Sequence, residues 1–123
     1  MVVSMNVIAV IVTHDPELDR FKPVLDRASE QVDSVIVVDN DSKSKGVLRG
    51  LCSGFGNCDF VEVGFNSGVA HALRIGVNYA IRYGPDWLLL LDDDTVPMSN
   101  AVGKALGLIG NLPRFVSDMV LCF

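Results

Sequence analysis

The sequence predicts one α/β domain over residues 1–123, a mostly parallel sheet with helices on both faces. Three observations predict it. Short β-branched apolar runs recur without polar alternation, amphipathic stretches separate them, and a polar cluster follows each of the first four runs. Strands of that kind are covered on both faces. Their alternation with helices gives a parallel sheet with right-handed crossovers. A chain of 123 residues suits a single core.

The first strand is Asn6–Thr13 (NVIAVIVT), which Asp15-Pro16 punctuates. Leu18, Phe21, Leu25, Ala28 and Val32 then recur at helical spacing. Pro23 falls inside that pattern, so the regular helix is expected to start near Lys22, after one loose turn. Ser34–Asp39 (SVIVVD) is the second strand, ending in Asn40-Asp41-Ser42. From Ser44 to Asn57 the pattern is ambiguous: Val47, Leu48 and Leu51 favour a short helix, and four glycines weaken it. Phe60–Val63 reads as a third strand, and Gly68 to Tyr83 as a helix that Gly84-Pro85 closes. Trp87–Leu91 (WLLLL) is a fourth strand running into Asp92-Asp93-Asp94. A helix from Asn100 to Ile109 follows, and the tail Val116–Phe123 holds one more apolar run, a candidate fifth strand.

Composition excludes several classes. A net charge of −5 and scattered cations, densest at Lys43, Lys45 and Arg49, leave no basic face for nucleic acid or an anionic membrane. No apolar run reaches eighteen residues, so no membrane span is expected. Met1–Thr13 lacks the charged start and cleavage site of a signal peptide. Cys52, Cys58 and Cys122 make an odd count without CxxC spacing, which reads as reduced thiols in a cytoplasmic protein rather than a zinc site.

Ligands of open parallel sheets bind outside the carboxyl ends of the strands, near the reversal of strand order. Thr13-His14-Asp15, Asp39-Asn40-Asp41, Asn66-Ser67-Gly68 and Asp92-Asp93-Asp94 all fall there. Two carboxylates about 5 Å apart repel by roughly 3 kcal/mol at an effective dielectric near 20. A divalent cation relieves that repulsion, and hard oxygen ligands suit Mg²⁺ or Mn²⁺ holding a substrate diphosphate. The alternative is a solvated turn in which Asp93 or Asp94 caps the next helix. Asp39 suits a nucleobase N–H or a ribose hydroxyl, or else an Asx turn. Asn66 or Ser67 suits an N-cap, and the helix end behind it also suits an anion. Arg74 either reaches a phosphate or forms a surface ion pair. His14 and His71 read as hydrogen-bonded or exposed histidines rather than ligands.

Taken together, VIAVIVTHDPE at 7–17, VIVVDNDS at 35–42, FNSGVAHALRIGVNYA at 65–80 and LLLLDDDTVP at 88–97 resemble the N-terminal, nucleotide-sugar-binding portion of the family 2 glycosyltransferases, within them the rhamnosyltransferase-like group. The resemblance implies a truncated glycosyltransferase-A (Rossmann-like) fold with strand order 3-2-1-4. It implies that Thr13 and Asp15 border the nucleotide pocket, that Asp39 contacts the base, and that Asn66 and Gly68 lie against the nucleotide. LDDDT stands at the family's DxD motif, with Asp92 toward the ribose or metal and Asp94 as the main metal ligand. The implied donor is a nucleoside-diphosphate sugar, such as dTDP-rhamnose or a UDP-sugar, and the implied acceptor is a hydroxyl of unknown origin.

The chain departs from the family pattern at His14-Asp15, where many relatives have Tyr-Asn, and at Arg74, where Asn is frequent. The family's acidic base and acceptor region lie beyond the last residue here, and Asp118, the only acid after Asp94, has no special claim to that role. Two other readings stand beside the transferase. One is a non-catalytic nucleotide-sugar-binding module, self-associating or paired with a partner subunit through the apolar surface a missing half would cover. The other is a haloacid-dehalogenase-type phosphatase, because LLLLDDDTV fits an apolar strand followed by DxDx[TV]. That chemistry needs a lysine and an acidic pair further downstream. Lys104 is too close, and no such pair follows.

Overall fold

The computed structural model describes residues 5–109 and 121–122. Nine elements follow in order: β1 (Val7–Thr13), α1 (Leu18–Gln31), β2 (Ser34–Asp39), α2 (Lys45–Ser53), β3 (Cys58–Glu62), α3 (Val69–Ile81), β4 (Trp87–Asp92), α4 (Ala101–Ile109) and β5 (Leu121–Cys122). The strands form one sheet of order β3-β2-β1-β4-β5, and every pairing is parallel. The α/β reading and its 3-2-1-4 order hold, with β5 added at the edge. Asp118 lies outside the described residues.

The unbroken apolar runs are explained by two cores. Ala9, Ile11, Val35, Val37, Leu89 and Leu91 face α1, while Ile8, Val10, Ile36, Val38 and Leu88 face α3. Successive strand side chains point to opposite faces, so both faces of each strand need apolar residues. On the α3 face, helix and sheet nearly touch. A Cβ on Gly76 would stand 2.6 Å from methyl groups of both Val10 and Val38. Gly76, Ala72 and Ala80 give α3 a buried stripe small enough for that approach.

Helix α1 begins four residues earlier than Lys22, and Pro23 sits inside it. Phe21 is fully buried with Val24, Leu25 and Ala28. Burying such a side chain contributes roughly 2–3 kcal/mol, comparable with the ~3 kcal/mol that an interior proline costs. The carbonyl that Pro23 leaves without its N–H partner belongs to exposed Asp19. Strand β3 starts two residues before Phe60, because pairing with β2 already begins where Val35 N–H donates to the Asn57 carbonyl at 2.8 Å.

A second correction concerns the cysteines. Cys52 and Cys58, read from the sequence as reduced thiols, are joined by a disulfide that ties the end of α2 to the start of β3. Arg49 reinforces the same junction, 2.9 Å from Glu62 and over the Phe60 ring at 5.0 Å. At the other side of the sheet, Gln31 latches α4. Its Oε1 accepts from Val102 N–H at 3.1 Å and its Nε2 donates to the Met98 carbonyl at 2.9 Å. The segment leaving the acidic loop after β4 is thereby held against α1. Among the described residues, no helix is long and apolar enough to cross a membrane.

Candidate functional site

Register decides what meets at the carboxyl edge of the sheet. Thr13 pairs with Asp39, Asp39 with Glu62, and Val12 with Asp92. β1 lies between β2 and β4, so chain direction across the sheet diverges there. The loops after β1, β2, β3 and β4 all leave from this edge.

The lowest layer is buried and polar. Asp39 is 1% exposed, and Thr13 and Ser42 beside it are equally enclosed. The Thr13 hydroxyl donates to Asp39 Oδ1 at 2.9 Å, and Ser42 N–H donates to Oδ2 at 3.0 Å. The second of these bonds is an Asx-type closure of the β2 loop. Each carboxylate oxygen keeps one lone pair after these two bonds.

Above it, Asn40 joins three loops. It is 2% exposed. Its backbone N–H donates to the Thr13 carbonyl at 2.8 Å, and its carbonyl accepts from His14 Nδ1 at 2.7 Å. Its Oδ1 accepts from Ser67 N–H at 2.9 Å and the Ser67 hydroxyl at 3.1 Å, and its Nδ2 donates to Asn66 Oδ1 at 3.1 Å. Asn66 and Ser67 thus turn toward Asn40, and α3 has no side-chain cap. Gly68, at φ 88°, makes the turn into that helix, in a backbone region that favours glycine. Asp15 closes the opposite side: its N–H donates to Ser42 Oγ at 2.8 Å, and its Oδ1 accepts from Lys43 N–H at 2.7 Å. Asp15 and Asp41 take left-handed φ values of 45° and 62°, a conformation that Asp tolerates better than most residues. Lys45 donates to Asp41 Oδ1 at 3.0 Å, and that hydrogen bond, with the Asp41 charge, holds its ammonium above the usual lysine range.

The top layer is acidic. Val12, His14, Val69, Asp92, Asp93 and Asp94 line one cleft of about 310 Å³. Asp92 and Asp94 are exposed, and Asp93 is half-buried. Burial pushes the Asp93 carboxyl up; a hydrogen bond from His14 N–H at 3.4 Å opposes this, and the charges of Asp94 and Asp92 add to it. Among the described residues, no group of three or more His, Cys, Asp or Glu side chains forms a ready-made metal cage. A larger cavity of about 430 Å³, lined by Glu30, Gln31, Asn100 and Gly103, lies away from the strand ends.

The structure therefore gathers Asp92, Asp93 and Asp94 with His14 at one cleft. Thr13 and Asp39 are buried at the ends of β1 and β2, and Asp15, Asn66 and Gly68 sit in neighbouring loops; none of these five lines that cleft. Arg74 is exposed and has no ion-pair partner among the described residues. His71 lies against Phe65, with ring centroids 6.0 Å apart. Sequence reasoning missed Asn40 as the organising residue. Its only signal was an amide directly after a buried strand, between two acids.

A family model described as "Glycosyl transferase family 2" matches residues 9–121. The chain is 30% identical over 92 residues to dTDP-rhamnosyl transferase RfbF of Shigella flexneri, covering 75% of this chain and 30% of the relative. It is 35% identical over 92 residues to galactofuranosyltransferase GlfT1 of Mycobacterium tuberculosis, covering 72% of this chain and 30% of the relative. The chain spans about 30% of the length of the curated relatives it matches.

Proposed function

The chain belongs to glycosyl transferase family 2, and we propose on that basis that its strand-end cleft binds a nucleoside-diphosphate sugar together with Mg²⁺ or Mn²⁺. The observation that carries this reading is the set of three successive carboxylates at the end of β4, lining one cleft beside the β1 terminus. Mg²⁺ usually binds through one or two carboxylates, with water and substrate phosphates completing its shell. Exposed Asp92 and Asp94 fit that donor set. When bound, the cation would neutralise charge on a leaving diphosphate.

The chain's own residues then have separable roles. Asp94, with Asp92, holds the cation. Asp39, enclosed and bonded to Thr13 and Ser42, fixes the β2 loop, and a base N–H would reach its remaining lone pairs only if that loop shifts. Asn66 and Gly68 shape the turn against the nucleotide, and Arg74, free of acid partners among the described residues, is available to a phosphate. The relatives' names point to dTDP-rhamnose or a galactofuranose donor as first candidates, and to an acceptor hydroxyl. The chain would self-associate or pair with a partner subunit, a contact that exposed Ile81 on α3 supports.

The test is calorimetry with dTDP, UDP and their sugars, with and without Mn²⁺, beside a transfer assay. Metal-dependent binding with transfer supports a transferase, and binding without transfer supports a binding module. A protein that binds neither nucleotide in Mn²⁺ overturns the reading.

A further inference from the structure

The geometry points to His14 as the side chain that accepts a hydrogen bond from a hydroxyl of the bound ligand, with Asn40 as the positioning residue that fixes its ring. The inference rests on the nucleotide-sugar reading of this cleft. His14 Nδ1 lies 2.7 Å from the Asn40 carbonyl oxygen. A carbonyl has no hydrogen to give, so Nδ1 must carry one, and Nε2 of the neutral ring then bears a lone pair. Asn40 cannot turn away, because its N–H is bound to Thr13 and its side chain to Asn66 and Ser67. The His14 backbone is held from the other side by Asp93.

The ring itself remains accessible. The His14 side chain is 44% exposed and lines the cleft with Asp92, Asp93 and Asp94. Its Nε2 stands 3.8 Å from Asp15 Oδ2, beyond hydrogen-bond reach. The cleft thus presents three carboxylates suited to a cation and, with the imidazole in its neutral form, one acceptor of fixed direction. A diphosphate offers that acceptor no hydrogen. An alcohol does, and a nucleotide sugar carries alcohols on its ribose and on its transferred sugar.

Two substitutions separate this role from mere packing. His14→Asn keeps an amide N–H near the Nδ1 position and deletes Nε2, whereas His14→Gln places a polar atom near Nε2 and loses the Asn40 bond. Calorimetry with dTDP and dTDP-rhamnose in Mn²⁺ is read beside the melting temperature. His14→Asn is expected to melt like the parent and bind about tenfold more weakly, the loss of one hydrogen bond. His14→Gln is expected to melt lower and regain part of that affinity. Equal losses for both ligands assign the 3′-hydroxyl of the deoxyribose, and a loss confined to dTDP-rhamnose assigns the sugar hydroxyl. Unchanged affinity in His14→Asn, with the parent binding normally, overturns the inference and leaves the broader reading intact. A parent protein that binds neither dTDP nor UDP in Mn²⁺, free or as their sugars, overturns both, and one that binds only UDP carries the same comparison to UDP and its sugar.

Discussion

Thr13 and Asp39 meet across the paired ends of β1 and β2, the hydroxyl donating to the carboxylate at 2.9 Å with both residues enclosed. Thr13→Val keeps the shape and removes the donor, leaving Ser42 N–H as the single remaining partner in the bonds described. A hydrogen bond to a charged group contributes about 1.5–3 kcal/mol, and the enclosed carboxylate cannot turn to water for replacement. Urea unfolding should register a loss in that range. A change below about 0.5 kcal/mol would mean that the carboxylate finds another donor.

Asp94→Ala removes the exposed carboxylate proposed as main cation ligand. Nucleotide affinity in Mn²⁺ is expected to fall at least tenfold, while affinity measured in EDTA stays constant. Melting temperature without ligand should hardly move, since Asp94 is exposed and no hydrogen bond anchors it among the described residues. Equal affinity with and without Asp94 in saturating Mn²⁺ would remove this residue from the metal site.

Gly76→Ala tests the approach of α3 to the sheet. The added methyl would lie 2.6 Å from side-chain atoms of Val10 and Val38, so α3 must lift or the valines must rotate. Overpacking of this kind costs about 1–3 kcal/mol, which over most of that range exceeds the helix-propensity gain of roughly 1 kcal/mol from replacing glycine. A lower melting temperature is expected, together with weaker nucleotide binding, because Val69 at the start of α3 lines the cleft. A stabilised variant would show that the helix has room to move.

The sheet was legible because its physics is local. Ile8–Ile11 and Leu88–Leu91 announce strands covered on both faces, and Asp92-Asp93-Asp94 announces where such a strand must end. Pro23 misled because proline's cost is local, whereas the burial of Phe21, Val24 and Leu25 that together outweighs it depends on tertiary packing. The Cys52–Cys58 bond was hidden for a similar reason: pairing depends on how α2 and β3 approach, not on spacing. Asn40 was illegible as a hub, since its partners His14, Asn66 and Ser67 lie 26 or 27 residues away. The acids of the site could be read from sequence, but not the amide that holds their loops together.

Asp93 makes stability depend on pH. Burial, supported by the neighbouring acids, raises its carboxyl in the folded state above the usual 3.8. A raised acid favours folding below the unfolded value, and that advantage is lost as pH rises through the folded value. At neutral pH the folded chain therefore carries an ionised group it disfavours. Asp93→Asn keeps an acceptor for His14 N–H and removes the charge. The variant should melt higher than the parent at pH 7, with the difference shrinking as pH falls toward 3.8. A difference that grows on acidification would reverse the sign and refute the argument.

The Cys52–Cys58 bond makes a chemical prediction independent of any ligand. The two α-carbons are 5.5 Å apart and the sequence separation is 6. Closing so short a loop in the unfolded chain stabilises the fold by about 2 kcal/mol on the chain-entropy account. Thiol titration of the denatured protein should count two more thiols after reduction than before it. Reduction should lower the melting temperature by several degrees without unfolding the chain, because Arg49 still pairs with Glu62 and covers Phe60. Nucleotide affinity should stay constant, since the bond sits at the amino end of β3, opposite the edge that carries the cleft. A thiol count unchanged by reduction, with a melting temperature indifferent to reductant, would return both cysteines to the reduced state that a cytoplasmic setting favours.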